Sequence, residues 1–297
     1  MDLRIDREFL LKADEEGRAL MRERALSGDS DVEVTTVARS ILSRPIEAYY
    51  VGSGKRYVAV LAAHHALESV TANVAFLLID YLTRAKRTGK IKGVDCKLLL
   101  SKYRFVIVPC VNPDGIELRL RGASDTPLQE RQMRMSSGDF STWQANARGV
   151  DLNHNYDAGF AEYKAIEAEL GITPGRSLYS GEYPESEPET KGIAGLVRTL
   201  SPVALVSLHT QGEEIYYKPR SRRVRRYAER ISAITGYAVS SAEGTAAYGG
   251  LSDYAGSLGI PSFTLELGRG ENPLPESAVP DIFWRVRDAI LMLPTFL

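Results

Sequence analysis

The chain has 297 residues, 44% hydrophobic and 25% charged, an ordinary globular composition. Its net charge of −1 gives no pull toward nucleic acid or an anionic membrane, and neither is expected as a partner. Two cysteines, Cys96 and Cys110, are too few for a disulfide framework. The charged opening MDLRIDREFLLKADEEG reads as neither a signal peptide nor a membrane span, so a cytoplasmic location is expected.

Residues 5–27 carry charges with scattered Leu and Met, the pattern of one or two surface helices. IEAYYVGSGKRYVAVLAA holds two β-rich runs around GSGK, a hairpin signal that predicts an antiparallel pair. Val70, Val74, Leu77, Leu78, Tyr81 and Leu82 then recur at helical spacing. RFVIVPCVNPDG is a buried strand closed by a turn. Residues 120–185 are rich in Ser, Gly, Arg and Asn and read as a long irregular stretch.

PESEPETKGIAGLVRTL opens a helix, with Ser186 as cap, Glu189 three residues later and Pro188 in the first turn. PVALVSLHTQG is a second buried strand, RVRRYAERISAITG a helix stopped by Gly236, IPSFTLELG a last strand and AVPDIFWRVRDAILMLPTFL a last helix. Strands alternating with helices predict an α/β fold, a largely parallel or mixed sheet with helices on both faces. Residues 1–44 are expected as a helical segment packed on a domain covering 45–297.

Two of the four histidines, His64 and His65, end the run YVAVLAA, and Glu68 follows His65 by three residues. An i,i+3 pair on a helical turn can aim both side chains at one point. The strand PVALVSL runs into His209. Two imidazoles and a carboxylate suit zinc and leave a fourth position for water, as in catalytic sites. Singly, each histidine reads better as an ordinary strand-end residue, and only the two together bring a metal site level with that reading. Glu266, near the end of an apolar strand, needs a partner or a task. It is either a salt-bridge partner of Arg269 or, beside a metal, a general base.

Together with NARGVDLNHNYDAGF (146–160), these stretches resemble the zinc carboxypeptidase A superfamily. His65-Ala66-Leu67-Glu68 is similar to the family's H-x-x-E. SLHTQG carries its distant third ligand and SFTLELG its catalytic glutamate. RGVDLN (148–153), VNPDG and PESEPET match further family stretches in the same order, from about residue 45 to 270. The resemblance implies a single domain with an eight-stranded mixed sheet flanked by helices. It also implies one zinc ion per chain, held by His65, Glu68 and His209. Glu266 would be the general base and Asp151 would hold a ligating histidine. Arg148 would stabilise the oxyanion, while Asn153, His154 and Tyr248 would face the substrate. His64 is expected to face away from the metal.

The departure is at 151–155. Carboxypeptidases have DLNRN there, and the Asn-Arg pair clamps a terminal carboxylate. Here the stretch is DLNHN, and an imidazole lacks the arginine fork. HTQGEEIYY and NARGVDLNHNYDAGF look like a bacterial branch, the γ-D-glutamyl-L-diamino acid endopeptidases, which implies a cell-wall stem peptide as substrate. Glu213 or Glu214 would then meet the amine or second carboxyl region of a diamino acid. The alternatives are a metallocarboxypeptidase, a deacylase on the same fold, and a pseudoenzyme that binds zinc or peptide without turnover.

Overall fold

The computed structural model describes residues 5–27, 32–91, 93–241 and 244–297. Its centre is a mixed eight-stranded sheet. The strands are β1 (Glu33–Arg39), β2 (Pro45–Val51), β3 (Arg56–Ala62), β4 (Tyr103–Val108), β5 (Ala204–His209), β6 (Glu214–Lys218), β7 (Ala238–Val239) and β8 (Ser262–Glu266). They lie side by side in the order β1-β2-β4-β3-β5-β8-β6-β7. The centre, β4-β3-β5-β8, is parallel, while β1, β2 and β6 pair antiparallel with their inner neighbours.

The apolar runs are explained by burial on both faces. Along β3, Val58, Val60 and Ala62 enter one core, and the alternating Ala59 and Leu61 enter the other. Each such Val or Leu contributes about 1.5–3 kcal/mol when fully buried, which is why β3 is apolar on both faces from Val58 to Ala62. The first face is covered by α1 (Glu15–Leu26), α2 (Val70–Thr88), α3 (Cys96–Lys102), α8 (Arg222–Thr235) and α10 (Val279–Met292). The second is covered by α7 (Pro188–Leu200) and α9 (Leu251–Ser257). Three further helices, α4 (Pro113–Arg121), α5 (Gln129–Ser136) and α6 (Phe160–Leu170), fill the connections. Among the described residues no helix is long and apolar enough to cross a membrane.

The expected hairpin is not formed. β2 and β3 run on either side of β4, which pairs antiparallel with β2 and parallel with β3. GSGK is the hinge that makes room. The amides of Ser53 and Gly54 both donate to the Leu100 carbonyl, at 2.8 and 3.2 Å. A Cβ on Gly54 would sit 2.1 Å from the Lys102 carbonyl carbon. The competing interaction is the β3–α2–β4 crossover, whose parallel strands must be neighbours to bury α2.

Within residues 1–44, α1 is helical but 33–39 form β1, an edge of the same sheet. The stretch 120–185 is not wholly irregular, since it contains α5 and α6. Its loops are tied together by backbone bonds, such as those from Gln144 and Ala145 to the Arg176 carbonyl. α7 starts at Pro188 as expected, but Glu187 occupies the cap position and no side chain caps the helix. The Ser186 hydroxyl is drawn off instead, accepting from Asn155 Nδ2 and donating to Glu187. Both cysteines are buried and neither forms a disulfide.

Candidate active site

The two central strands β3 and β5 end side by side, so their C-terminal residues open onto the same edge of the sheet. After β3 the chain turns through a short 3-10 helix, Ala66–Glu68, that runs into α2 and brings Glu68 back beneath His65. β5 ends on His209 itself. One ligand atom from each of His65, Glu68 and His209 lies within 4.8 Å of the other two.

The ring nitrogens are divided consistently. His65 Nδ1 is 2.8 Å from Glu68 Oε1, and His209 Nδ1 is 2.9 Å from Glu68 Oε2. The other nitrogens face fixed partners, His65 Nε2 at 3.1 Å from Asp151 Oδ1 and His209 Nε2 at 3.1 Å from the Ser207 hydroxyl. Both Nδ1 atoms and both carboxylate oxygens therefore converge on one small volume. The residues fit a divalent cation, because the outer partners hold the Nε2 protons and leave the Nδ1 lone pairs for it.

The electrostatics agree with a cation site. Burial opposes ionisation of Glu68, but the flanking imidazoles overcome it and hold its carboxyl far below the usual range. Burial likewise opposes a charge on His65, yet Glu68 and Asp151 raise its pKa well above the ordinary value. Asp151, 1% exposed, is kept ionised against burial by His65 and His154 and by the amide of Leu178, which donates to Oδ2 at 3.0 Å. A pocket that stabilises this much proton charge is ready to exchange it for a metal.

Glu266 ends β8 directly beside His209, its register partner on the parallel strand β5. Arg269 is not its partner, because that guanidinium pairs with Glu213 at 2.9 Å. Among the described residues the Glu266 carboxylate makes no hydrogen bond or ion pair. Burial, with Glu68 and Glu214 nearby, pushes its carboxyl up to about 7 against the opposing pull of His209 and His65. A carboxyl poised there can take and return a proton.

The remaining expected site residues are placed as follows. Arg148 donates from Nε to Glu187 at 2.9 Å and from Nη2 to the Ser186 carbonyl at 3.3 Å; Nη1 has no partner among the described residues. Asn153 accepts the amide of Leu251 at 3.2 Å. His154 is 7% exposed, stacks on Tyr163 with ring centroids 4.1 Å apart, and donates from Nδ1 to the Tyr248 carbonyl at 2.9 Å. Tyr248 is half-buried, close to Gly159. Gly249 follows it with φ +75°, where a Cβ would strike the backbone of His154 at 2.6 Å. His64 is fully buried with Nε2 2.9 Å from the Tyr156 hydroxyl, and its ring stacks on that of His209 at 5.7 Å.

Of the two candidates in the GEEIYY stretch, Glu213 is taken up by Arg269 and Arg285. Glu214 lies across from Glu266 in the antiparallel pair of β6 and β8. Sequence reasoning missed Ser207, Tyr163 and Glu187. Ser207 was accessible in principle, since it precedes His209 by two residues on a strand and must share its face. Tyr163 and Glu187 were not, because each meets its partner only through the fold.

A zinc carboxypeptidase family profile matches residues 18–284. The chain is 31% identical over 261 residues to γ-D-glutamyl-L-diamino acid endopeptidase 1 of Lysinibacillus sphaericus, with 84% of this chain and 64% of that protein aligned. It is 33% identical over 133 residues to murein peptide amidase A of Escherichia coli K12, covering 43% of this chain and 46% of that protein. The chain thus spans less than two thirds of the length of either relative. Among solved structures, thrombin activatable fibrinolysis inhibitor superposes with a TM-score of 0.77 at 21% identity, over 98% of this chain and 75% of that one. That likeness bears on the fold.

Proposed function

Because the chain belongs to the zinc carboxypeptidase family and is a metallopeptidase by that membership, we propose that it hydrolyses an amide bond of peptidoglycan stem peptides, at or near the γ-D-glutamyl–diamino acid linkage. The observation that carries this reading is His154. It stands where the carboxypeptidase pattern has the carboxylate-clamping arginine, and its ring is stacked on Tyr163 and bonded to the Tyr248 carbonyl. The similarity to relatives named for γ-D-glutamyl-diamino acid and murein peptide substrates supports the same choice.

In this reading His65, Glu68 and His209 hold zinc, and Asp151 and Ser207 hold the two histidines in the tautomer that presents Nδ1. When bound, zinc supplies a water of lowered pKa and polarises the scissile carbonyl. Glu266 takes the proton of the attacking water and returns it to the leaving nitrogen. Arg148, anchored through Nε and Nη2, offers its remaining N–H groups to the developing oxyanion. Asn153 and Tyr248 line the path of the substrate.

Product analysis tests the proposal. The protein is incubated with L-Ala-γ-D-Glu-diaminopimelate and, separately, with ordinary α-linked peptides. Release of the diamino acid portion from the first is expected. Removal of C-terminal residues from the second, with the first left intact, would assign a metallocarboxypeptidase instead.

A further inference from the structure

Three residues stand in one row across the sheet. The register pairs His209 on β5 with Glu266 on β8, and Glu266 with Glu214 on β6. Residues paired in register point to the same face, and strands lie about 4.8 Å apart. Glu214 therefore lies one strand beyond Glu266, on the side away from the metal ligands. Tyr216 and Thr264 form the next row on this face. The Thr264 hydroxyl is 2.7 Å from that of Ser252, so the wall continues polar toward α9.

Glu214 is held by hydroxyls alone. Oε2 accepts from the Tyr216 hydroxyl at 2.5 Å and Oε1 from the Ser240 hydroxyl at 3.0 Å. Both donors are neutral, and among the described residues no cation pairs with Glu214. Its sequence neighbour Glu213 shows the contrasting arrangement, with Arg269 and Arg285 around it. Like charges facing each other across an antiparallel pair are unfavourable. An acid fixed in this position by two hydroxyls, opposite a second acid, has no cation of its own among the described residues and is open to one that arrives.

We propose that Glu214 is the receptor for a side-chain ammonium on the substrate residue that leaves with the new amine. The inference rests on the site being a peptide hydrolase, and it deepens that reading by assigning recognition of the second amino group to one carboxylate. The placement fits, since Glu266 hands its proton to the leaving nitrogen and Glu214 is the next carboxylate outward. Tyr216 and Ser240 fix its two oxygens, leaving their free lone pairs as an anchor for an alkylammonium.

The test uses peptides identical except after the scissile bond, where one carries lysine and the other norleucine. Both a γ-D-glutamyl-linked and an α-linked series are made. The zinc-loaded wild-type protein should favour lysine over norleucine through KM. Glu214→Gln should raise the ratio of the lysine-peptide KM to the norleucine-peptide KM about 10- to 100-fold, while any change in kcat that comes through Glu266 falls on both peptides alike. In a Glu266→Gln background, calorimetry should show the same selective loss of lysine-peptide binding. Equal losses for both peptides would mean that Glu214 only shapes the wall, and would overturn the assignment. So would a wild-type protein indifferent to the amine, a comparison that stands even if Glu214→Gln fails to fold. Cleavage of the α-linked series alone would overturn the stem-peptide reading, while the lysine-to-norleucine ratio would still judge Glu214.

Discussion

Glu266 illustrates how one side chain takes its properties from three strands. His209 and His65 pull its proton off, Glu68 and Glu214 hold it on, and burial tips the balance toward the neutral acid. A divalent cation held by His65, Glu68 and His209 would add positive charge and move the carboxyl back toward ionisation, as the proposed base requires. Replacing it with glutamine keeps the shape and removes the proton exchange. Glu266→Gln is expected to lower kcat about 10²- to 10⁴-fold with zinc content unchanged, measured by steady-state kinetics and metal analysis. Undiminished turnover would remove it from the mechanism.

His154 makes a different point at the same scale. The sequence shows a histidine in place of an arginine but not what the imidazole does. The stack on Tyr163 and the bond to the Tyr248 carbonyl bring together residues 94 positions apart, which no local pattern carries.

Among elements, the connection between β2 and β3 and the start of α7 are the instructive cases. Two β-rich runs around GSGK satisfy every local rule for a hairpin, and the crossover through α2 overrides them. The price of letting β4 in is a glycine wedged against the end of α3. Gly54→Ala places a methyl group in the Lys102 carbonyl, and is expected to destabilise the protein by about 2–4 kcal/mol in denaturant unfolding. A cost below about 0.5 kcal/mol would show that the segment moves aside freely.

In the first turn of α7, Glu189 is fully buried, with Oε1 accepting the Ile41 amide at 3.2 Å and Oε2 unpartnered. Burial, together with Glu187 and Asp114, pushes its carboxyl up to about 8. The folded state therefore binds this proton more tightly than the unfolded chain, where a glutamate titrates near about 4.3. Its stabilising contribution is complete below about pH 4 and is lost as pH rises toward 8. Glu189→Gln should flatten that slope and become more stable than the native protein at pH 8, by on the order of 2 kcal/mol. Thermal unfolding from pH 5 to 8.5 would check it, and parallel curves would refute the assignment.

At the scale of the molecule, the proposed metal ligands sit at or just past the ends of β3 and β5, strands already buried on both faces, so the sheet supports the site and not the reverse. Chelation is expected to abolish hydrolysis while leaving the far-ultraviolet circular dichroism unchanged. Restored zinc should raise Tm in a concentration-dependent way, since it binds the folded form. Loss of helix and strand signal on chelation would mean that the metal holds the fold together.

The alternation of apolar strands and amphipathic helices, the mixed-sheet class and the trio His65, Glu68 and His209 were legible in the sequence. The first two rest on side-chain periods of 2 and 3.6 that need no knowledge of neighbours. The third was only suggested by a short spacing and by histidines at strand ends; the resemblance to the zinc carboxypeptidases singled it out, and the structure brings the three side chains together. Strand order, the partner of each ring nitrogen, the pairing of Arg269 with Glu213 in place of Glu266, and the row of His209, Glu266 and Glu214 were decided by tertiary structure alone. Each depends on which strands become neighbours. That choice is made by helices burying their apolar faces on the whole sheet, a collective energy that no stretch of residues contains by itself.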